Sequence, residues 1–259
     1  LDVVTNARLL KIEFSIRRAV RAQIQVGTER RAIEIDGEMI LCAGALNSPQ
    51  LLQLSGIGAA DDLRGLGIDV VADLPAVGRG LKDHVAAPVQ YRATQNVSAA
   101  RYLTAFGRLK LGAQWLLAKK GLGATNFFEV GAFMRTDPQF DIPNVQFEFV
   151  PMLGEMQHGS VKLENGFQYF FSLMRPRSEG RVWLRDANPL SAPRFVFNYF
   201  DHPGDRREAI DAVRAIRKVI AQDAWTPYRG EEVMPGPQYQ TDDEIMAFLR
   251  ENAGTNYHP

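Results

Sequence analysis

Two residues of this sequence carry a reactive side chain next to neighbours that indicate a functional site. His258 lies in the Tyr-His-Pro run 257–259. An imidazole titrates close to neutral pH, so His258 is a candidate general base for a substrate hydroxyl. Glu129 directly follows Phe127 and Phe128. A carboxylate beside aromatic faces can bind a cation, so Glu129 is a candidate binding residue.

A third candidate site consists of small residues. The apolar run 39–43 predicts a strand that is buried on both faces. It leads into Gly44 and Ala45, and the Asn-Ser-Pro segment 47–49 then predicts the start of a helix. A buried strand, a tight turn and a helix N-terminus form ligand sites in α/β proteins. Small side chains at Ala43, Gly44 and Ala45 would let a flat cofactor approach the backbone closely.

The remaining patterns predict an α+β fold. Alternating apolar and polar residues over 7–44 predict a strand-rich meander, and several aromatic strands in a row favour an antiparallel sheet. The further strands are predicted at 129–134, 145–150, 166–174, 181–185 and 195–199. The helices are predicted at 60–66, 99–120 and 206–222, with a last one after a capping box at 241–244.

Composition excludes several functional classes. The 259 residues contain 30 basic and 30 acidic side chains, so no charge excess favours binding to nucleic acid. The lone Cys42 excludes an internal disulfide and a cysteine-based zinc site. The four histidines are scattered without metal-ligand spacing, so no metal is predicted. No apolar run approaches the roughly 20 residues needed to span a bilayer, and we expect a cytoplasmic location, with membrane association of the intact enzyme left open.

The motifs together resemble a known family. Residues 44–58 read Gly-Ala-Leu-Asn-Ser-Pro-Gln-Leu-Leu-Gln-Leu-Ser-Gly-Ile-Gly, which is similar to one of the two sequence signatures of the glucose–methanol–choline family of flavin-dependent alcohol oxidoreductases. Segments 75–84, 177–182 and 257–259 are also similar to this family. The stretches 123–133 and 223–236 resemble its choline-oxidising members in particular. The resemblance therefore covers nearly the whole chain.

The resemblance implies a cofactor, a reaction and roles for individual residues. The cofactor would be FAD, with the turn 43–45 beside it and Leu9 making a backbone contact to the adenine. His258 would take the hydroxyl proton of a primary alcohol while hydride passes to the flavin. Glu129 would hold a trimethylammonium group, which favours choline as substrate and betaine aldehyde as first product.

Some parts of the family pattern are absent from this sequence. The Gly-x-Gly-x-x-Gly loop that holds the flavin pyrophosphate does not occur. We therefore expect the sequence to be an interior piece of a longer enzyme, inactive when isolated. Residues 1–85 are predicted to belong to the FAD-binding domain, and 86–259 to a substrate-binding domain that returns to the FAD domain at its C-terminal end.

Two other functional hypotheses stay open at this point. The substrate of the enzyme could be an uncharged aliphatic or polyether alcohol, because an acid near Glu129 also occurs in family members that act on such alcohols. The chain could also be a non-catalytic substrate-binding or oligomerisation fragment, and a homo-oligomer is one expected partner state. The electron acceptor is not predicted. Asp83 and His84 are predicted to form a loop-stabilising hydrogen-bonded pair rather than a catalytic dyad.

Overall fold

A computed structural model of the chain describes residues 2–157 and 160–259, and His158 therefore lies outside the described residues. The chain divides into two units. Unit 1 comprises Leu1–Lys82, Ser178–Tyr199 and Pro259, and unit 2 comprises Asp83–Arg177 and Phe200–His258. Antiparallel sheets with few helices make up the described chain, which confirms the predicted α+β class. The assignment of a flavin role to 1–85 and a substrate role to 86–259 stays a prediction.

The elements follow the chain in a strand-rich order. They are β1 (Ala7–Ser15), β2 (Arg18–Val26), β3 (Glu29–Glu34), α1 (Gly44–Leu54), β4 (Ile57–Gly58), α2 (Ala60–Gly65), β5 (Ala72–Asp73), β6 (Arg79–Leu81), β7 (Val85–Ala93), α3 (Ala105–Ala118), β8 (Val130–Met134), β9 (Val145–Val150), β10 (Leu153–Gln157), β11 (Ser160–Glu164), β12 (Gly166–Leu173), β13 (Gly180–Trp183), β14 (Arg194–Val196), α4 (Pro203–Ile220), β15 (Arg229–Met234), α5 (Asp242–Asn252) and β16 (Gly254–Thr255). Short 3-10 turns lie at Ala99–Tyr102, Leu122–Ala124 and Asp223–Trp225.

Unit 1 contains three small sheets around α1 and α2. The strands β1, β2 and β3 form an antiparallel meander, β6, β13 and β14 form a second antiparallel sheet, and β4 pairs with β5 in parallel. The turn after α1 requires glycine at position 56. Gly56 has a φ of +86°, and a Cβ there would lie 2.4 Å from the Asp69 carbonyl oxygen. The predicted helix end at Ser55-Gly56 is thereby confirmed.

Two predictions for the segment before α1 are wrong. Residues 39–43 form no strand, and the Ile40 side chain is 81% exposed. An apolar run becomes a buried strand only where strands on both sides supply backbone partners, and the sheets described for unit 1 contain none for this run. The helix α1 also begins at Gly44 rather than at 47–49, so Pro49 lies inside it. The Ser48 hydroxyl accepts a hydrogen bond from the Ala43 amide at 3.1 Å instead of capping a helix that starts after it.

Unit 2 is organised by one antiparallel sheet in the order β15-β7-β12-β9-β8, and β16 adds to β7. The helices α4 and α5 each bury an apolar face, which includes Ile216 of α4 and Ile245 of α5. The capping box predicted for α5 is confirmed, because Thr241 and Glu244 each bond the other's backbone amide. The predicted strand 145–150 is confirmed to the residue.

A partly buried ionic network ties α4 to the edge of this sheet. The Arg217 guanidinium on α4 donates to both carboxylate oxygens of Glu232 on β15. The Tyr91 hydroxyl on β7 donates to the same carboxylate at 2.6 Å. Burial, followed by the hydrogen bond to Glu232, raises the pKa of Tyr91 above its ordinary value. Three separate elements therefore depend on one carboxylate.

We predict that Glu232→Gln destabilises the protein by about 3 kcal/mol, because the Arg217 charge keeps its half-buried position and loses its partner. Tyr91→Phe should cost about 1 kcal/mol, the net value of one hydrogen bond. Urea unfolding followed by circular dichroism measures both. As a control, Glu34→Gln removes the exposed ion pair with Arg21 and should leave the unfolding midpoint unchanged. An equal midpoint for wild type and Glu232→Gln would contradict the assigned role.

Candidate active site

Backbone hydrogen bonds fix the segment that carries His258. After α5 ends, β16 pairs with the start of β7, with Gly254 opposite Ala86 and Thr255 opposite Val85. The Asn256 amide then donates to the His84 carbonyl oxygen at 2.9 Å. The His258 amide donates to Asp83 Oδ1 at 3.2 Å. The segment 254–258 therefore runs antiparallel to 83–86 like the continuation of an edge strand.

Two imidazoles meet at this place. His258 Nδ1 lies 3.4 Å from His84 Nδ1, and the ring centroids are 5.3 Å apart at an interplanar angle of 66°. At this distance one Nδ1 can donate a hydrogen bond to the other, and the tautomer of each ring decides which nitrogen donates. His258 itself is exposed, His84 is half-buried, and the nearby Asp83 carboxylate is buried.

The sheet supports the same segment from its middle. The Asn256 side-chain amide donates to Ser172 Oγ at 3.0 Å. Ser172 lies on β12 and is 1% exposed, with Ala86 of β7 opposite it on one side and Gln146 of β9 on the other. Residues directly opposite each other in an antiparallel sheet share a face. This bond therefore ties the His258 segment to the face of the sheet that carries Ser172.

We call this side of the sheet the Ser172 face, defined by Ser172, Phe170, Gln146, Glu148 and Gly131. Phe170 pairs with Glu148 across β12 and β9, and Gly131 pairs with Glu148 across β9 and β8. The Gln146 amide donates to Glu148 Oε1 at 2.7 Å, and both side chains are half-buried. The Ser172 face therefore carries a carboxylate, which sequence reasoning missed.

The opposite face of the sheet has a different role. It carries Phe147 and Phe149 of β9 and Tyr169 of β12, which line an apolar cavity of about 130 Å³ together with Ile216 of α4. Burial raises the pKa of Tyr169 to about 12. This face packs against α4, and the Ser172 face carries the polar side chains of Ser172, Gln146 and Glu148.

Glu129 lies at the margin of the Ser172 face. It is exposed and directly precedes β8, whose second residue is Gly131 opposite Glu148. Within residues 2–157 and 160–259 Glu129 makes no ion pair. Of the two preceding rings, Phe127 packs against the buried cluster that includes Val150, whereas Phe128 is exposed. No described contact joins Glu129 to His258.

In unit 1, two predicted cofactor residues line one cavity. Leu9 of β1 and Ala43 before α1 border a cavity of about 530 Å³, which Asn47 and Gln50 of α1 also line. Gly44 follows with a φ of +83°, and no atom lies within 4 Å of where its Cβ would be. The helix α1 has no capping side chain and no acid in its first turn, which leaves amide donors for a polar ligand.

Ala45 lies on a second cavity of unit 1. That cavity measures about 320 Å³ and is also lined by Gly78, Gly80 and Pro259.

The structure thus brings Leu9 and Ala43 together, and it brings Asp83 and His84 to His258. Sequence reasoning gave Asp83 and His84 only a structural role, because 174 residues separate His84 from His258. The short β16 that joins them carries no strand pattern by which it could have been found.

Comparisons with known proteins identify the family. Two family models, both described as GMC oxidoreductase, match residues 1–86 and 176–259, which together cover well over half of the chain. The chain belongs to the GMC oxidoreductase family. The Tyr-His-Pro segment lies in the part matched by the C-terminal model, and Asp83 and His84 lie in the part matched by the N-terminal model.

Individual relatives agree with this assignment. The chain is 42% identical over its whole length to the oxygen-dependent choline dehydrogenase of Xanthomonas campestris pv. campestris (strain B100), of which it covers 47%. It is also 42% identical to the enzyme of the same name from Stenotrophomonas maltophilia (strain K279a), of which it covers 46%. The chain therefore spans about half the length of the curated relatives it matches.

Solved structures share the fold. A variant of formate oxidase from Aspergillus oryzae RIB40 superimposes with a TM-score of 0.87 at 20% identity, and the match covers 98% of this chain and 49% of that one. Pyridoxine 4-oxidase from Mesorbium loti gives a TM-score of 0.81 at 22% identity, with 98% and 46% covered. At this identity the likeness concerns the fold alone.

We predict that Asp83→Ala loosens the His258 segment, because the His258 amide loses its acceptor. Amide hydrogen exchange at residues 256–258 should become faster by about tenfold, as measured by mass spectrometry. Asp73→Ala is the matched control, because Asp73 Oδ1 likewise accepts from a backbone amide, that of Ala60, at 3.0 Å. Unchanged exchange at 256–258 in Asp83→Ala would show that this bond does not hold the segment.

Proposed function

We propose that this chain takes part in the FAD-dependent oxidation of a primary alcohol, with choline as substrate, betaine aldehyde as first product and His258 as the base. The observation that carries the proposal is the anchoring of His258. Its backbone is bonded to Asp83, its ring faces His84, and the adjacent Asn256 is bonded to Ser172. A base must be held in place to remove a hydroxyl proton efficiently, and this segment is held at three points.

The pair of imidazoles supports a particular tautomer of the base. If His258 Nδ1 donates its proton to His84 Nδ1, then His258 Nε2 is unprotonated and free to accept a proton. The reverse arrangement would put the proton on Nε2 and disable the base. The buried Asp83 carboxylate holds the backbone of this base through the hydrogen bond that it accepts from the His258 amide.

The residues of unit 1 fit a bound FAD. The backbone at Leu9 and the small side chain of Ala43 border the cavity of about 530 Å³, and the open backbone at Gly44 admits a flat group. Ala45 borders the neighbouring cavity. When bound, FAD supplies the acceptor for the hydride that leaves the alcohol carbon.

Recognition of choline is assigned to carboxylates of unit 2. Glu129 is exposed next to Phe128, and Glu148 lies on the Ser172 face beside Phe170. A trimethylammonium group is attracted by carboxylates and by aromatic faces. The names of the relatives that are 42% identical support the same substrate.

One observation favours an uncharged alcohol as a second candidate substrate. The Glu148 carboxylate already accepts a hydrogen bond from Gln146, so it does not require a cation for its stability. Glu129 is exposed, and water can solvate it equally well. Under this alternative both acids are structural, and an aliphatic or polyether alcohol is oxidised at the same base.

We predict that the longer enzyme to which this chain is expected to belong retains a visible flavin absorption band after incubation with FAD and removal of free cofactor. Ala43→Phe should abolish this band, because the ring fills the cavity that Leu9 and Ala43 share. Ala32→Phe, on the exposed strand β3, introduces the same ring elsewhere and should leave the band intact. Equal retention by the wild type and Ala43→Phe would exclude this cavity as the flavin site.

We predict further that Glu129→Gln and Glu148→Gln each raise the KM for choline about tenfold, the effect of losing one charged contact. Their KM for 1-butanol should not change. Initial rates of the flavin-loaded protein with dichlorophenolindophenol as artificial electron acceptor measure both. Glu251→Gln, an exposed change on α5, is the control.

The same assay separates the alternatives. Turnover of 1-butanol without turnover of choline would favour the uncharged substrate. If neither alcohol is oxidised by the flavin-loaded longer enzyme, the catalytic proposal fails and a binding role is left. His258→Ala should abolish turnover while flavin absorption stays, and full turnover in that variant would exclude His258 as the base.

A further inference from the structure

The Ser172 face advances along β12 in rows of paired residues. Its first row pairs Ser172 with Gln146 of β9, and its second row pairs Phe170 with Glu148. Every second residue of a strand lies on the same face, so neighbouring rows are separated by about 7 Å, the rise of two residues. The segment of the candidate base is bound to the first row through the hydrogen bond from Asn256 to Ser172. A substrate that lies on this face with its hydroxyl at the base therefore extends toward the second row.

The protein's own residues cover the third row. This row pairs Gln168 of β12 with Val150 of β9 on one side and with Gln90 of β7 on the other. All three side chains are buried. The Gln90 amide donates to Gln168 Oε1 at 2.7 Å and to the Gly154 carbonyl oxygen of β10 at 3.1 Å. The third row is therefore occupied by internal contacts.

An apolar cluster adjoins the third row. It consists of the buried side chains of Ala99, Val150 and Met152, which we call the end cluster. The Ala99 amide donates at 2.8 Å to the carbonyl oxygen of the residue that follows β9, and this bond ties the turn Ala99–Tyr102 to the end of that strand. Phe170 packs against the end cluster. The end cluster therefore supports the Phe170 ring from the side that leads away from the base.

Phe170 lies where the open part of the Ser172 face meets the covered part. It is half-buried, whereas the side chains of the third row are buried. A ring supported by close-packed neighbours does not move aside without leaving a void behind it. The space for a substrate beyond the first row is therefore limited to one row spacing, about 7 Å.

A short substrate with a bulky cationic end suits this space. Choline has only two carbons between its hydroxyl and its nitrogen. At the second row its trimethylammonium group would meet the Phe170 ring and the Glu148 carboxylate, and both attract a quaternary ammonium. The far end of a longer alcohol would instead collide with the Phe170 ring, because the end cluster holds that ring in place.

We propose that Phe170 determines the chain length of the substrate, by closing the Ser172 face one row beyond the base. The proposal rests on the proposed function, since it places the reacting hydroxyl at His258. It adds that short primary alcohols bind, whereas alcohols that extend past the second row are excluded.

Pairs of short and long substrates measure the length limit. Choline is compared with its homologue that has six carbons between hydroxyl and nitrogen, and 1-butanol with 1-octanol as the uncharged pair. The flavin-loaded longer enzyme is assayed with dichlorophenolindophenol, and kcat/KM is determined for each compound. The wild type should favour the shorter member of the pair that it oxidises by at least about tenfold.

Two substitutions at position 170 should relax this preference. Phe170→Ala should raise the kcat/KM of the longer member relative to the shorter one by about tenfold, because the removed ring leaves room for the chain. Phe170→Leu keeps an apolar side chain against the end cluster and should shift the ratio in the same direction by a smaller factor. Circular dichroism checks that each variant is folded, and Phe170→Leu carries the test if Phe170→Ala is not.

Phe149→Ala is the matched control. Phe149 is also a half-buried phenylalanine of the same sheet, but it lies on the opposite face, where its ring centroid is 5.9 Å from that of Trp225. This variant should keep the wild-type ratio. An equal shift in Phe149→Ala and Phe170→Ala would show a general loosening of the sheet and would overturn the proposal.

Binding measurements distinguish this proposal from the proposed function. Isothermal titration calorimetry gives the Kd of the same four compounds without any turnover. If none is oxidised, the proposed function fails, but tighter binding of the shorter members that Phe170→Ala removes would still support the length limit. A wild type that binds both members of each pair equally, or binds none of the four, would overturn it. So would folded variants at position 170 that keep the wild-type ratio.

Discussion

The placement of His258 depends on backbone pairing between the end of the chain and the first residues of β7. The strand β16 is only two residues long, yet it sets the register that brings the Asn256 amide to His84 and the His258 amide to Asp83. Backbone hydrogen bonds are directional, and a slip of one residue would turn the segment to the other side. Backbone pairing therefore sets the register of the candidate base, and the side chains of Asp83, Asn256 and Ser172 then hold it in place.

The large sheet of unit 2 separates structural and chemical roles through the alternation of its strands. One face of the sheet packs aromatic and aliphatic side chains against α4, and Phe171 and Ile216 in this layer are almost fully buried. The Ser172 face instead carries Gln146 and Glu148, together with the hydroxyl that binds Asn256. Because the period of a strand is two, the same six residues of β9 supply both the core and the polar site.

The two histidines and Asp83 form an arrangement that one residue could not provide. An isolated exposed imidazole samples both tautomers, whereas the hydrogen bond between the His84 and His258 rings requires that one Nδ1 donates and the other accepts. The carboxylate of Asp83 accepts a hydrogen bond from the backbone amide of His258, so it fixes the position of that residue. The segment that carries His258 lies within the part of the chain that the C-terminal GMC oxidoreductase model matches.

Much of the local structure could be predicted from the sequence, because periodicity and capping act within a few residues. The strand Val145–Val150, the capping box at Thr241 and the helix around 206–222 were all predicted from such patterns. The strand predicted at 39–43 does not form, because a buried strand requires neighbouring strands that a local pattern does not contain. Glu148 was also missed, because a polar residue in an alternating strand is normally assigned to solvent.

The sequence by itself determined the family resemblance, the α+β class and the candidate residues His258, Glu129 and 43–45, since all of these rest on residue types at short spacing. Only the tertiary structure decided that Asp83 and His84 meet His258, and that α4, unlike α3, buries an apolar face. Both are consequences of which distant segments pair and which helix face finds a partner. The pairing of distant segments and the burial of a helix face depend on the free energy of the whole fold, and a short sequence pattern does not reveal that free energy.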